Sequence, residues 1–246
     1  MPKVSIVVPA YNEEAFIGTL LDRVLSVDTE SLGFSKEIIV VDDGSKDGTS
    51  ALVRRFPGVR LIQQKNQGKG RAVQHGIQEA TGDYILVQDA DLEYDPADYI
   101  PMLAKLASLR GAVYGSRTLG QLRENGWTLT PGRHPRQLLG PWVANVLLTL
   151  WTFILYGKWI TDMLTGYKIY PREFFSQVEI VTRGFETDHE ITAKLIHLGI
   201  RIHEVPISFS PRSEEEGKKI RARDGLIAVW TLFRFRFKRA PRQQAG

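Results

Sequence analysis

Tyr84-Ile85-Leu86-Val87-Gln88-Asp89-Ala90-Asp91 is the stretch that decides how this chain is read. Four apolar residues make a run of the length expected of a buried strand. Two carboxylates then emerge one residue apart, just past its carboxyl end. Open α/β sheets bind ligands in the crevice outside the carboxyl ends of their strands. Carboxylates held so close repel one another, and a cation between them removes that cost. All-oxygen ligands suit a hard divalent ion such as Mg2+ or Mn2+, which commonly also holds substrate phosphates. Asp-x-Asp alone also marks turns, so its weight comes from the segments around it.

Upstream, strand and helix signals alternate. Residues 4–8 form a β-branched run. Asn12 is placed to cap a helix reaching about residue 27, with Phe16, Ile17, Leu20, Leu21, Val24 and Leu25 at helical spacing. A second buried strand is expected at 38–41, a helix near 49–56, a third strand at 59–63 and a helix at 70–80. This alternation implies a mostly parallel sheet with right-handed crossovers, an α/β fold. Downstream, 96–109 reads as helix, 112–114 as strand and 119–136 as loop. Residues 138–156 are the most apolar stretch. A helix at 186–198, a strand at 201–205 and an aromatic, basic helix at 224–238 follow. There is no internal repeat and no low-complexity tract.

The chain has 246 residues, 43% hydrophobic and 24% charged, ordinary values for a soluble globular protein with one sizeable core. It has no cysteine, which excludes a disulfide framework, a thiolate metal site and a cysteine nucleophile, and fits a reducing cytoplasm. The opening Met-Pro-Lys-Val-Ser-Ile-Val-Val runs straight into a strand and is too short an apolar run for a signal peptide. The net charge of +4 is uneven. From Lys218 to Arg242 the basic residues outnumber a single acid, Asp224, with Arg212 just upstream. Such a tail favours an anionic partner. No recognised nucleic-acid motif accompanies it, so no nucleic acid is expected.

The other strand ends carry their own chemistry. The first ends in Pro9-Ala10-Tyr11-Asn12-Glu13-Glu14, where Pro9 stops the strand and Tyr11 offers a ring and a hydroxyl. The second ends in Asp42-Asp43-Gly44-Ser45, with Asp47-Gly48-Thr49 beyond. Asp42 abuts the strand and reads as a ligand contact; Asp47 and Thr49 read as turn and cap residues. Gly68-Lys69-Gly70 lacks the longer glycine loop and the Ser or Thr of a P-loop. His189 and His197 lie eight apart without a companion at metal-ligand spacing and read as structural.

Taken in order, Pro-Ala-Tyr-Asn-Glu-Glu, Val-Asp-Asp-Gly-Ser and Asp-Ala-Asp resemble the nucleotide-sugar half of family 2 glycosyltransferases, which have the GT-A fold. The resemblance covers at least residues 4–117. It implies that Pro9, Ala10, Tyr11 and Glu13 line the base and ribose and that Asp42 contacts the base. Asp89, Ala90 and Asp91 then serve the ribose, the metal and the diphosphate, with Glu93 a third carboxylate able to face Mg2+ or Mn2+. Lys69, in the Gly-Lys-Gly common in this family, would reach a nucleotide phosphate. The donor implied is a nucleoside diphosphate sugar of GDP-mannose or UDP-glucose type.

Val113-Tyr114-Gly115-Ser116-Arg117 resembles the segment after Asp-x-Asp in polyprenyl-phosphate sugar transferases, such as dolichyl-phosphate mannose synthases. There the arginine grips the acceptor phosphate, which suits an arginine fork. Arg133 or Arg136, in the loop after it, would supply a second grip. Residues 161–168, 185–190 and 204–208 also resemble segments of these enzymes, as does Glu216-Gly217-Lys218-Lys219. Arg212 and Lys218 would meet the donor diphosphate. Asp188 sits where relatives carry a functional carboxylate: a base for a hydroxyl acceptor, or else a cap for its helix.

The resemblance further implies a catalytic domain over 1–225, with a nucleotide-sugar half to about 117 and an acceptor half beyond, followed by a basic aromatic tail at 226–246. Residues 138–156 would lie at the membrane interface or else form a buried core helix, and 226–239 reads as a second surface helix. Relatives with transmembrane hairpins place them after this point, so binding is expected to be peripheral, at the cytoplasmic membrane face. The acceptor expected is a polyprenyl phosphate. The rivals are a soluble sugar or other hydroxyl acceptor, a nucleotidyltransferase, and a non-catalytic nucleotide- or nucleic-acid-binding module.

Overall fold

Short β-branched runs, covered on both faces, build the centre of a seven-stranded sheet. The computed structural model describes residues 1–211 and 222–238. Its strands are β1 Lys3–Ala10, β2 Ser35–Asp42, β3 Val59–Gln63, β4 Tyr84–Val87, β5 Ala112–Ser116, β6 Lys168–Pro171 and β7 Ile202–Pro206. Their spatial order is β3-β2-β1-β4-β6-β5-β7. All neighbouring pairs are parallel except those of β6, which runs antiparallel to β4 and β5.

Alternation along the strands divides the core into two layers. On one face Val4, Ile6 and Val8 of β1 pack with Ile17, Leu20, Leu21 and Val24 of α1 (Glu14–Ser26) and Met102 and Leu103 of α4 (Tyr99–Ser108). On the other, Val7, Ile39 and Val41 pack with Val73 and Ile77 of α3 (Lys69–Glu79), and this layer continues to Leu148, Ile191 and Leu232. Each such side chain, fully buried, stabilises the fold by about 1.5–3 kcal/mol relative to exposure. The remaining helices are α2 Thr49–Val53, α5 Arg117–Asn125, α6 Leu139–Tyr156, α7 Arg172–Gln177, α8 Thr187–His197 and α9 Ala222–Phe237.

The direction of β6 positions the site. Because β6 is antiparallel, its first residue, Lys168, pairs with Val87 at the end of β4 and with Tyr114 near the end of β5. The loop before it, 161–167, therefore lies at the same sheet edge as the carboxyl ends of the parallel strands.

The structure departs from two expectations and adds a strand. Asn12 does not cap α1: the N-cap is Glu13, with no side-chain cap bond, and the Asn12 side chain instead accepts from Lys46 N at 2.8 Å. The stretch read as loop from 119 begins inside α5, capped by Ser116, whose Oγ accepts from Leu119 N at 3.1 Å. The nine residues of α5 hold two large apolar side chains, Leu119 and Leu122, too few for a helix to be read from apolar spacing in the sequence. Nor was β6 foreseen: its four residues include a buried lysine, and a charge inside a short run hides a strand.

Candidate active site

The first two strand ends lock together before any ligand is considered. Asn12 has φ of +53°, costly for a residue other than glycine, and donates its N–H to Ser45 Oγ at 2.9 Å. Glu13 N donates to Thr49 Oγ1 at 2.9 Å, and Glu14 takes Gly48 N at 2.9 Å. Asp47 Oδ1 takes both Thr49 N and Thr49 Oγ1, the turn role expected of it. Tyr11 is half-buried, Glu13 buried, and Pro9 and Ala10 end β1 beside them. Asp42, the expected base contact, is 1% exposed and both its oxygens are occupied, by Ser45 N at 2.8 Å and by Ser50 Oγ. Asp43, which was given no ligand role, ties β2 to the next loop by taking Gln67 N at 2.9 Å and Gly68 N at 2.8 Å.

That loop delivers Lys69. Gly68 has φ of +94°, and a Cβ on Gly70 would fall 2.2 Å from Thr187 Oγ1 and 2.6 Å from the Arg183 carbonyl oxygen. The glycines flanking Lys69 thus let the segment leading into α8 cross the start of α3, which brings Asp188 near. Lys69 Nζ lies 2.6 Å from Asp89 Oδ1. Burial works against its charge, but Asp89 and Asp188 outweigh it and hold the ammonium above its ordinary value. Gly166 closes over the pair: a Cβ there would meet Asp89 Oδ2 at 2.5 Å.

Asp91 and Glu93 follow on a strained turn, with Leu92 at φ of +57° and Asp91 Oδ1 accepting from Glu93 N at 3.2 Å. Asn12 and Leu92 are the two non-glycine residues with positive φ among those described, and both sit at strand ends of this site. Among the described residues no three acidic or histidine side chains already converge on one point as a metal cage. The donor set nevertheless fits Mg2+ or Mn2+, which are usually held by one or two carboxylates with water and substrate phosphates completing the shell. Asp91 and Glu93 would supply those carboxylates, and Asp89 after exchange of its lysine.

Arg117 lies near this acidic turn, coupled electrostatically to Glu93 and Tyr94. The first residue of α5, it is gripped by Asp162 through Nε and Nη2 at 2.7 and 2.8 Å, and its guanidinium lies 4.9 Å from the Phe209 ring. Burial disfavours its charge, but Asp162 and neighbouring groups hold it above the ordinary value. Asp162 is aimed in turn: Glu204 of β7 takes Thr161 N at 2.9 Å and Asp162 N at 3.2 Å, and Asn145 of α6 takes Met163 N at 2.9 Å. Tyr94, its hydroxyl accepting from Gly166 N at 3.0 Å, is pushed up to about 12, chiefly by burial.

Asp188 lies in the first turn of α8 but is not its cap; the N-cap is Glu186. Its Oδ1 is 3.8 Å from Lys168 Nζ. Arg133 is engaged within its own loop, donating to Gln137 O at 2.7 Å and to Thr130 Oγ1 at 3.3 Å. That loop abuts the Arg117 side, since the His134 ring packs edge-on against Phe209 at 6.1 Å. Arg212 and Lys218 lie outside the described residues. The structure therefore gathers Asp89, Asp91, Glu93, Lys69, Arg117 and Asp188 at one sheet edge. Asp162, Lys168 and Glu204 belong with them; Asp162 and Lys168 are buried charges and Glu204 is half-buried.

The helix that buttresses this site is inverted. α6 buries Asn145, Leu148, Thr149 and Thr152, yet leaves Leu147 58% and Ile154 64% exposed. α9 lies against it, tied by Trp151 Nε1 to Val229 O at 3.2 Å and Tyr156 Oη to Leu232 O at 2.7 Å, with Leu226 and Trp230 facing outward.

Comparison with known proteins gives the family and the fold. The profile of glycosyl transferase family 2 matches residues 5–178. Glycosyltransferase AglJ of Haloferax volcanii is 28% identical over 233 residues, covering 94% of this chain and 71% of that protein. A dolichyl-phosphate beta-glucosyltransferase of Trichomonas vaginalis is 30% identical over 239 residues, 92% of this chain and 70% of that one. Glucosyl-3-phosphoglycerate synthase from Mycobacterium tuberculosis, solved with Mn2+, UDP and glucosyl-3-phosphoglycerate, superposes with a TM-score of 0.66 at 20% identity, over 100% of this chain and 83% of that one. The fold is the GT-A fold.

Proposed function

The chain belongs to glycosyl transferase family 2, and from that premise we propose that it moves a sugar, with inversion, from a nucleoside diphosphate sugar of UDP-glucose or GDP-mannose type to a polyprenyl phosphate. The observation that supports this reading is the pre-aimed fork of Arg117, held by Asp162 and coupled through Tyr94 and Glu93 to the acidic turn after β4. The nucleotide would lie over Pro9, Ala10, Tyr11 and Glu13, with Asp42 shaping the loop beneath the base. Asp91 and Glu93 would hold Mg2+ or Mn2+ at the diphosphate. When bound, such an ion stabilises charge on the departing diphosphate. Lys69 supplies positive charge on the same side and keeps Asp89 oriented. Arg212 and Lys218 are proposed to meet the diphosphate as well.

A phosphate acceptor arrives ionised near neutral pH, so no general base is needed. It needs orientation and charge, and the N–H groups of Arg117 not taken by Asp162 offer both, with Arg133 as a second donor from the adjoining loop. Family relatives named as dolichyl-phosphate and undecaprenyl-phosphate transferases support this choice of acceptor. So does the outward apolar face of α6 and α9, which suits the membrane surface where such a lipid resides. Arg234 and Lys238 near the end of α9 favour the anionic lipid of a cytoplasmic leaflet, giving a peripheral location on that face. With a hydroxyl acceptor Asp188 would be the base.

Incubation with UDP-glucose, GDP-mannose and related donors, with Mn2+ and with or without undecaprenyl phosphate, identifies the product by mass. A glycosylated lipid phosphate that EDTA abolishes is the expected result. Transfer only to soluble hydroxyls would overturn the lipid acceptor, and full activity in EDTA the metal role.

A further inference from the structure

Lys168 opens β6 and is 1% exposed, yet its Nζ has no hydrogen-bond partner among the described residues. Its Nζ lies 4.9 Å from the Tyr114 ring and 3.8 Å from Asp188 Oδ1. Taking an ammonium out of water costs several kcal/mol unless an opposite charge compensates it. A position that needed only filling would be better served by methionine. The groups facing it are Tyr114 of β5, Tyr170 of its own strand, Asp188 and His189 of α8, Asp162 of the preceding loop, Lys69 of α3 and Arg117 of α5. Acids and bases alternate through them. Asp89 holds Lys69; Asp188 attracts Lys69 and Lys168; Asp162 attracts Lys168 and holds Arg117. Lys69 and Arg117 each have a carboxylate in hydrogen-bond contact, whereas Lys168 is held by charge alone and stands between two.

We propose that Lys168 is a positioning residue whose buried ammonium fixes the Asp188 carboxylate at the floor of the site and steadies Asp162 behind Arg117, without touching substrate. This deepens the transfer reading and rests on it only for the kinetic arm of its test. Burial pulls the Lys168 ammonium below its ordinary value, while Asp188 and Asp162 resist. Lys69 and Arg117 are displaced the other way. Of the three cations, Lys168 is therefore the first to lose its proton as pH rises, and activity should fall on the alkaline side with it.

The kinetic arm uses whichever of UDP-glucose and GDP-mannose the native protein turns over, with Mn2+ and undecaprenyl phosphate. Lys168→Met should lose roughly 10- to 100-fold in kcat, as loss of an orienting partner commonly does, with donor KM held within about twofold. Lys168→Arg should restore most of that loss and move the alkaline limb up by at least about one pH unit, because arginine keeps its proton. A second arm needs no substrate. Asp188→Asn should lower the melting temperature by stranding the ammonium, and Lys168→Met added to it should raise the temperature again. Native kcat and an unchanged pH profile in folded Lys168→Met overturn the proposal, as do melting losses that merely add. A native protein inert toward both donors overturns the transfer reading, and the melting cycle then decides the role of Lys168 alone.

Discussion

Arg117 reaches the site already bound to Asp162 on one edge of its guanidinium, by two parallel bonds of 2.7 and 2.8 Å, while its own backbone N–H makes a third to the same carboxylate at 3.0 Å. The pair spans 45 residues of sequence. Asp162 is 1% exposed, so the fork cannot swing to solvent without stranding a buried charge. On the proposed transfer reading, an acceptor phosphate would meet the opposite edge, held in one orientation.

Asp162→Ala should therefore weaken acceptor use although Asp162 touches no acceptor. The expected result is a polyprenyl-phosphate KM raised about tenfold or more with donor KM little changed, since an unaimed fork loses its bidentate geometry. Denaturant melts should show a loss of about 3 kcal/mol or more, the usual result of removing one partner of a buried pair. An unaltered acceptor KM in a folded variant would separate Asp162 from the acceptor site.

Gly166→Ala tests how Asp89 is held. The added methyl would fall 2.5 Å from Asp89 Oδ2 and 3.5 Å from Lys69 Nζ, so the carboxylate must leave its place. Gly166 has an ordinary backbone φ, and the fold should survive. We expect kcat to fall roughly 10- to 100-fold, the scale for displacing an oriented charged group. Near-native turnover with an unchanged melting temperature would mean that the Asp89 position is not critical.

The parts that sequence disclosed and those it hid differ physically. Asp89 and Asp91 were legible because an apolar run ends directly before them, and a buried strand must stop where charge begins. Lys69 was legible from its two glycines, whose reason, the close crossing of Arg183 and Thr187, only the structure supplies. Asp162, Lys168 and Glu204 were hidden because their partners are far along the chain: Arg117 is 45 residues from Asp162, and Thr161 is 43 from Glu204. Local periodicity carries no information about such pairs. Asp42 is legible in the same way, at the end of an apolar run, whereas its partners Ser45 and Ser50, one on each oxygen, come only with the structure.

His189 sets an acid limit on stability. Burial and the nearby Lys168 charge push its imidazole down to about 3, against an ordinary value of 6.5. The unfolded chain binds this proton first, so stability is full above about pH 6.5 and declines as pH falls toward 3. The slope contributed by one such proton is about 1.4 kcal/mol per pH unit. Denaturant midpoints of native protein and His189→Gln, measured from pH 7 to 4, should diverge in slope; parallel curves would show that His189 takes its proton in the fold as readily as in the unfolded chain.

The outward face of α6 and α9 yields the last prediction. A helix serving only a soluble core buries its apolar stripe and exposes its polar one. α6 departs from this: Leu148 packs inside, but Asn145, Thr149 and Thr152 are buried beside it while Leu147, Phe153 and Ile154 face outward. The inversion is not a folding cost borne for nothing, because Asn145 on the inner face fixes the loop that aims Asp162 and Arg117. One helix thus has its polar stripe committed to the site and its apolar stripe left for another medium. Leu147→Glu and Trp230→Ser alter only side chains that are 58% and 61% exposed, so the melting temperature should hold. Co-sedimentation with vesicles containing phosphatidylglycerol should fall about tenfold for the pair, given roughly 0.8 kcal/mol per buried methylene removed from the lipid. Donor hydrolysis in solution should persist while transfer to membrane-embedded undecaprenyl phosphate drops. Vesicle binding equal to native would show that the lipid acceptor is reached by another surface.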